Sequence, residues 1–196
     1  MYNTPFFHTV LLFLAAISSQ LSEQLQKDLG TNTVILDDQE LYIKKEITGG
    51  GIVDLIDSTT RKQAGICSFD ENTLKTGRAF VFDKVSLTYD SNAASNLEGE
   101  LAYNSAAPVA LVNADFVITQ DGREVFRMPV KSIHNIETGN AIDDEYIQLK
   151  TLRHLVDTRE VKLQLHFPPG VSMSGATKHY VYVRLNGVQT TKKTNA

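Results

Sequence analysis

The chain contains side chains that could hold a metal ion, but their spacing does not form a known metal-binding motif. Oxygen-rich loops can bind Ca²⁺, which takes ~6–8 oxygen ligands. Neither acidic cluster of this chain has the alternating ligand spacing of a known calcium loop, so solvated turns are the favoured interpretation and we expect no bound metal. The clusters are Asp37-Asp38 with Glu40, and Asp143-Asp144-Glu145.

The histidines are not spaced as ligands either. No two of them lie three or four residues apart, so the helical zinc pattern is absent. His166 falls on the polar face of a predicted strand beside Gln164, and His179 opens a strand. We expect each histidine to be an exposed or capping residue. The five are His8, His134, His154, His166 and His179.

The remaining chemical signals are weak. Cys67 is the only cysteine, which excludes an intrachain disulfide and a cysteine-based zinc site, and we expect it to be a small half-buried side chain. The triplet Gly49-Gly50-Gly51 indicates a loop, but a phosphate-binding loop would require a following helix with a lysine or hydroxyl. The sequence therefore predicts no catalytic, cofactor-binding or metal-binding residue and no enzyme. The two carboxylates of a glycosidase can be far apart in sequence and are recognised only by the distance between them in space. A hydrolase or lectin with such a hidden site is therefore a remaining alternative.

The composition indicates one acidic domain. A length of 196 residues suits a single domain, and 42% hydrophobic residues suffice for a sizeable core. The formal charge of −4 and the pI near 5.7 argue against a surface specific for nucleic acid, which needs a basic excess. We also expect no small-molecule substrate.

The N-terminus carries the clearest helical pattern. Thr4-Pro5 is a typical helix start and Gly30 a typical stop. Between them an apolar stripe recurs every three or four residues, and the spacing predicts one helix over residues 5–28. The stripe consists of Leu14, Ile17, Leu21, Leu25 and Leu29.

The first half of this predicted helix, residues 6–17, is apolar on every face. Twelve helical residues reach only ~18 Å, whereas a bilayer core needs ~30 Å. We expect the helix to be retained, with its stripe on the domain and its apolar end against a partner or a membrane surface. A secretory signal cleaved near Gln20 is the alternative, although no Lys or Arg precedes the apolar run.

Beyond Gly30 the hydrophobic period changes from 3.6 to 2. The runs "TVILD" and "ELYIKKEI" predict two strands separated by a turn at Asp37-Asp38. Asp121-Gly122 predicts a two-residue hairpin turn, with Pro129 at an edge or strand end. "EVKLQLHF" predicts a strand with alternate residues from Val161 facing the core, and Asn186-Gly187 predicts the end of the last strand.

These patterns predict a mainly β fold: a single jelly roll or β-sandwich of about eight strands, with one N-terminal α-helix. The predicted organisation is a helical arm over residues 1–30, a β domain over 31–190 and a polar basic tail over 191–196.

In plan, the chain resembles jelly-roll capsid proteins of tailless icosahedral phages with an internal membrane. The resemblance is carried by the helix Thr4–Leu29, the hairpin "DFVITQDGREVFRMPV" and the closing strand "KHYVYVRLNGV". It implies a virion structural protein, a major, minor or penton capsid component, located in the capsid. Its partners would be further copies, other capsid subunits and a membrane surface touched by residues 5–28. The alternative is a secreted or periplasmic β-sandwich binding or adhesion module whose N-terminal signal is cleaved.

Overall fold

The computed structural model describes residues 4–136, 142–173 and 175–193. The helices are α1 (Thr4–Ala16), α2 (Glu23–Gly30), α3 (Val109–Val112) and α4 (Val130–Ile133), with 3-10 turns at Ser18–Gln20 and Ile142–Glu145. The strands are β1 (Val34–Ile47), β2 (Ile52–Asp54), β3 (Ala79–Asn92), β4 (Asp115–Gln120), β5 (Arg123–Pro129), β6 (Ile147–Val156), β7 (Val161–His166) and β8 (Lys178–Lys192).

The strands form two antiparallel four-stranded sheets. Sheet A has the order β1-β8-β3-β6 and sheet B the order β2-β7-β4-β5. Apolar side chains of both sheets belong to one buried cluster, in which Phe82 of sheet A and Phe116 of sheet B both contact the ring of Phe126. The prediction of a mainly β, sandwich-like fold is confirmed.

The hairpin at Asp121-Gly122 is confirmed. Gln120 pairs with Arg123, and the two turn residues have φ values of 49° and 72°. Positive φ at both central residues is the geometry of a type I′ turn, whose twist matches that of the flanking strands. As predicted, β5 lies at the edge of sheet B and ends at Pro129.

Two further local predictions are confirmed. Val161, Leu163 and Leu165 of β7 are buried, while Lys162 between them is exposed. The glycine triplet forms the loop between β1 and β2, where Gly50 and Gly51 have φ values of 111° and 67°.

The predicted turn at Asp37-Asp38 is wrong, because β1 runs through it without interruption. The two aspartates pair with Gln189 and Val188 of β8. Both are exposed on an edge strand, so their carboxylates stay in water while the backbone is hydrogen-bonded to β8. The hydrogen-bonding partner therefore outweighs the local turn preference of these residues.

The predicted end of the last strand at Asn186-Gly187 is also wrong, since β8 continues to Lys192. Gly187 lies against the bulge in β3 between Phe82 and Lys84. A Cβ at Gly187 would come within 2.1 Å of the Val81 carbonyl oxygen and 2.6 Å of the Phe82 Cα. This glycine permits a close approach of two backbones instead of forming a turn.

The prediction of one helix over residues 5–28 is wrong, because the N-terminal segment forms two α-helices. α1 ends at Ala16, and Ser22 adopts an extended backbone (φ −62°, ψ 151°) before α2 begins. The Ser22 hydroxyl accepts a hydrogen bond from the Leu25 N–H at 3.4 Å, which is an N-cap. The second helix therefore begins directly after Ser22, a residue type that is suited to cap a helix start.

We expect Gly122→Val to lower the free energy of unfolding by roughly 1 kcal/mol or more, because a β-branched residue resists positive φ. Thermal or urea denaturation measures the loss. Gly30→Val is the matched control, since Gly30 is helical and no heavy atom lies within 4 Å of its added Cβ. Equal losses in the two variants would contradict the turn assignment.

Candidate interaction sites on the outer face of sheet A

Sheet A has an outer face, turned away from sheet B, that is covered in two different ways. Residues of β1, β3 and β8 alternate between the core and this face, so Leu41, Val85 and Val183 point inward. Their neighbours on the same strands point outward. One half of the outer face is apolar and the other half is polar and aromatic.

The helical arm, residues 4–30, covers the apolar half. Leu14 and Leu25 are completely buried, and Leu21 is nearly so. Ile17 and Leu29, the other members of the predicted stripe, are partly buried against the same cluster. The arm therefore packs on the β domain through the stripe that the sequence predicts. The sheet residues beneath it are Ala79, Val81, Val156 and Val188.

A buried carboxylate fixes the arm at its break. Asp157 is 1% exposed, and its Oδ2 accepts hydrogen bonds from the Ser22 hydroxyl, at 2.8 Å, and from the Gly77 N–H. The same Ser22 caps α2, so one side chain both caps the helix and ties it to Asp157, which directly follows β6. Hydrogen bonds to a charged acceptor are among the stronger ones in proteins.

The outward surface of α1 is apolar. Leu11 is 46% exposed and Leu12 72% exposed, next to the exposed His8. Although residues 6–17 are apolar on every face, not every face is exposed, because Val10 and Leu14 are fully buried. In the described part of the chain, no helix has the length and apolarity needed to cross a membrane.

The polar half of the outer face carries alternating aromatic rings and cations, which we call the cation–aromatic ladder. The Lys44 ammonium lies 5.3 Å from the ring centre of Tyr103 and 5.0 Å from that of Tyr182. The Arg184 guanidinium lies 5.0 Å from Tyr182 and 4.7 Å from Tyr146. Each distance is within the ~6 Å range of a cation–π contact. The ladder joins four chain segments that are distant in sequence.

Two carboxylates bond to the ladder. Arg184 donates to Glu145 at 2.7 Å and to the Ser86 hydroxyl at 3.1 Å, and the Tyr146 hydroxyl donates to Glu40. Burial acts to lower the pKa of Arg184, but the bond to Glu145 and the adjacent tyrosines raise it overall. Burial lowers the pKa of Lys44, and the charge of Arg184 lowers it further.

A cavity of about 90 Å³ opens beside the ladder, lined in part by Thr88, Tyr103, Glu145, Tyr182 and Arg184. Thr88 and Arg184 are each 9% exposed. Within the described residues, neither the Thr88 hydroxyl nor the Arg184 Nε has a hydrogen-bond partner. Tyr103 has a φ of 56°, an uncommon backbone conformation for an aromatic residue.

The sequence did not point to this ladder. In the sequence, Glu145 belongs to an acidic cluster, and no local pattern predicts its contact with the ladder. The only available signal was the alternation of Tyr42 with Lys44 and of Tyr182 with Arg184, opposite the apolar residues of the same strands. Such alternation indicates a polar face without showing what covers it.

The histidines divide into two groups. His8 is exposed, and His166 bonds Gln164 at 3.1 Å on the face where the sequence put it. For His179 the prediction of an exposed or capping residue is wrong, since its ring is buried and bonds the Tyr89 hydroxyl at 2.6 Å.

His134 and His154 are half-buried, as is His166. His134 is the C-cap of α4, which agrees with the prediction of a capping residue, whereas His154 departs from it. The His134 Nε2 accepts from the Ala107 N–H at 3.3 Å, and its Nδ1 lies 3.2 Å from the Leu87 carbonyl oxygen, an arrangement that suits a neutral ring. Burial lowers the pKa of His134. Burial also lowers the pKa of His154, as does the charge of Arg159.

The other sequence-based candidates are dispersed. Asp37 and Asp38 lie on β1, while Glu40 and Glu145 belong to the ladder. The side chain of Asp143 lies outside the described residues. Among those residues, no group of three or more His, Cys, Asp or Glu side chains is close enough to hold a metal ion. Cys67 is fully buried rather than half-buried, and burial raises the pKa of its thiol.

Comparison of the chain with models of known protein families finds no matching family. Comparison with curated proteins finds no matching sequence.

We expect Ser22→Ala to loosen the helical arm by about 1–2 kcal/mol, because it removes both the cap of α2 and a hydrogen bond to buried Asp157. Amide hydrogen exchange in α2 measures the loss as faster exchange. Ser19→Ala is the control, since Ser19 is exposed in the neighbouring 3-10 turn. Unchanged exchange in Ser22→Ala would contradict the anchoring role.

Stability should also depend on the protonation of His154. Because folding lowers its pKa, the unfolded chain binds the proton more tightly, so stability falls as pH drops below the unfolded value of ~6.5. His154→Gln should reduce the slope of unfolding free energy against pH between about 7 and 5. His8→Gln, at an exposed position of α1, is the control, and a slope unchanged in His154→Gln would contradict this assignment.

Proposed function

We propose that this chain is a virion structural protein, a jelly-roll capsid component that assembles with further copies and other capsid subunits into an icosahedral shell. Its helical arm contacts neighbouring subunits or a membrane surface. The protein is located in the virion and acts through its shape and contacts rather than by catalysis.

The order of strand pairing supports the jelly-roll part of the proposal. β4 pairs with β5, β3 with β6, β2 with β7 and β1 with β8. These pairs are nested around the hairpin turn at Asp121-Gly122, as in one long antiparallel ribbon folded at its middle. The pairings β3–β8 and β4–β7 then join the ribbon into two sheets. A wrapped ribbon of eight strands is the plan of a jelly roll.

The observation that carries the assembly proposal is the position of the exposed apolar side chains. Leu11 and Leu12 face outward from α1, while Ile35, Ile52 and Ile147 are exposed on β1, β2 and β6. Those three strands are edge strands of the two sheets. An edge strand offers unpaired backbone groups, and an exposed apolar residue favours contact with another chain. Lateral contacts at the edges and a contact through α1 are the kinds that a shell needs.

The packing of α1 favours a retained arm over the secreted alternative. Cleavage near Gln20 would remove Val10 and Leu14, which are fully buried against Val81 and Val188. The sheet would then expose the apolar surface that these residues cover, and this surface would need another partner.

The neighbouring leucines of α1 test the proposal. Leu12→Asp should leave the melting temperature unchanged, because Leu12 is largely exposed, but should shift the sedimenting species from large assemblies to small ones. Leu14→Asp is the matched comparison, since it puts a charge at a fully buried position and should lower the melting temperature. Sedimentation velocity and thermal denaturation measure both effects. A wild-type chain that sediments as a monomer, or equal assembly of wild type and Leu12→Asp, would contradict the role of α1.

A further inference from the structure

A cavity of about 300 Å³ lies where the helical arm meets the edges of the two sheets. β6 is an edge strand of sheet A, and β5 is an edge strand of sheet B. The buried side chain of Gln120 ties these edges together, since its amide donates to the Val156 carbonyl oxygen at 2.7 Å and accepts from the Val156 N–H at 3.0 Å. Hydrogen bonds between the two sheets therefore hold the wall of this cavity in place.

The cavity wall carries an excess of positive charge. Among the described residues that line it, three are arginines, Arg123, Arg153 and Arg159, and one is a carboxylate, Glu124. The Glu124 carboxylate accepts a hydrogen bond from Arg127 at 2.8 Å, and Arg127 lies outside the wall. The carboxylate of the wall is therefore already bound by another arginine, and the positive excess is available to a ligand.

The arginines of the wall have accessible donors. Arg123 and Arg153 are exposed and Arg159 is partly exposed. Within the described chain, neither Arg123 nor Arg153 has a carboxylate at ion-pair distance. Arg159 donates to the Gln20 carbonyl oxygen at 3.2 Å, and its Nε lies 3.8 Å from the Asp121 carboxylate. Because a guanidinium has several N–H donors, each of the three can bind a further acceptor.

Much of the remaining wall is apolar. The helical arm, β5 and β6 all contribute to it, and the Phe13 ring contacts the His154 ring edge-on, with ring centres 5.4 Å apart. A wall that combines guanidinium groups with apolar side chains suits a ligand with an anionic head and a hydrocarbon part. The apolar members of the wall are Phe13, Ile17, Val125, Leu152 and Val156.

We propose that this cavity binds a phosphate monoester, with the phosphate on the three arginines and the hydrocarbon part against the apolar wall. Guanidinium groups match the oxygen pairs of a phosphate and hold it by charge-assisted hydrogen bonds. A phosphate monoester carries about two negative charges near pH 7, which suits several arginines better than a carboxylate does. The chemistry is shared by a lipid headgroup and a free alkyl phosphate. This inference stands apart from shell assembly, because it rests on the wall of the cavity alone.

Phosphorus NMR of hexyl phosphate tests the proposal, because the ligand signal broadens on binding to a monomer and to a large assembly alike. The wild-type chain should broaden the signal saturably. Hexanoate, which has a carboxylate in place of the phosphate, should displace little of the ligand at equal concentration. Broadening that does not saturate, or hexanoate that competes as well as hexyl phosphate binds, would overturn the proposal.

Four charge variants locate the ligand. Arg153→Gln should weaken binding of hexyl phosphate by about fivefold or more, because a charge-assisted hydrogen bond is lost. Glu124→Gln should strengthen binding, because it removes a negative charge from the wall. Both side chains are exposed, so both variants should keep the melting temperature of the wild type.

Arg61→Gln and Glu71→Gln are the matched controls. They make the same changes in net charge at a surface ion pair of 3.5 Å outside this cavity, so both should bind hexyl phosphate like the wild type. Equal effects of Arg153→Gln and Arg61→Gln would overturn the proposal. So would a Glu124→Gln variant whose binding is unchanged or weaker.

Flotation with lipid vesicles distinguishes the source of the phosphate. One set contains phosphatidylcholine with phosphatidic acid, whose headgroup is a phosphate monoester, and the other phosphatidylcholine with phosphatidylserine. Flotation that Arg153→Gln reduces only on phosphatidic acid assigns the cavity to a lipid headgroup. Equal flotation of wild type and variant on both sets, including none, assigns it to a free phosphate ester. A variant that floats equally less on both sets would contradict recognition of the monoester, because it indicates general attraction to anions.

Discussion

The pairing of β8 with β1 on one side and β3 on the other is the interaction on which the rest of the structure depends. β8 pairs along almost its whole length with both neighbours, from Lys178 to Lys192. Its inward residues, such as Val183, join the main core, and its outward residues contribute to both the helical-arm contact and the cation–aromatic ladder. Val188 supports the helical arm, whereas Tyr182 and Arg184 form the centre of the cation–aromatic ladder. Gly187 lets β8 approach the β3 bulge closely enough for this pairing to hold.

This pairing joins the two ends of the β domain. Val34 pairs with Lys192, so the contact closes a loop that contains nearly the whole β domain. Closing long loops costs chain entropy before distant contacts compensate it, and folds dominated by distant strand pairs form slowly. The hairpin at Asp121-Gly122 is the most local of the nested pairs, and a tight type I′ turn limits the entropy lost in starting the ribbon there.

The sequence predicts this fold well where the signal is local. The Asp121-Gly122 turn, the alternation in β7 and the apolar stripe of the arm depend on residues close in sequence, and they are confirmed. The predictions failed where a distant partner decides the structure. Asp37-Asp38 and Asn186-Gly187 are turn-forming residue types. They nevertheless lie inside β1 and β8, which pair with each other in sheet A. The ladder has no local signature, because Lys44, Tyr103, Tyr146 and Arg184 meet only when the sheet forms.

The two halves of the outer face suit different roles. Under the arm the contact is apolar, with a hydrogen bond from the half-buried Ser22 to the buried Asp157 at the break of the arm. Beyond the arm the ladder combines the Arg184–Glu145 salt bridge with aromatic rings, and within the described residues the buried Thr88 hydroxyl and Arg184 Nε have no hydrogen-bond partner. The proposed shell subunit needs a rigid body with directional contacts on several sides, and two packed sheets with exposed apolar residues on their edge strands are suited to supply them.

Electron microscopy of the purified full-length chain in detergent-free buffer tests the central proposal most directly. We expect closed shells, rings or ordered sheets of repeated subunits, with α1 at the contacts between subunits or on the surface that faces a membrane. A field of separate, uniform single-domain particles, unchanged by concentration or by added lipid vesicles, would contradict it.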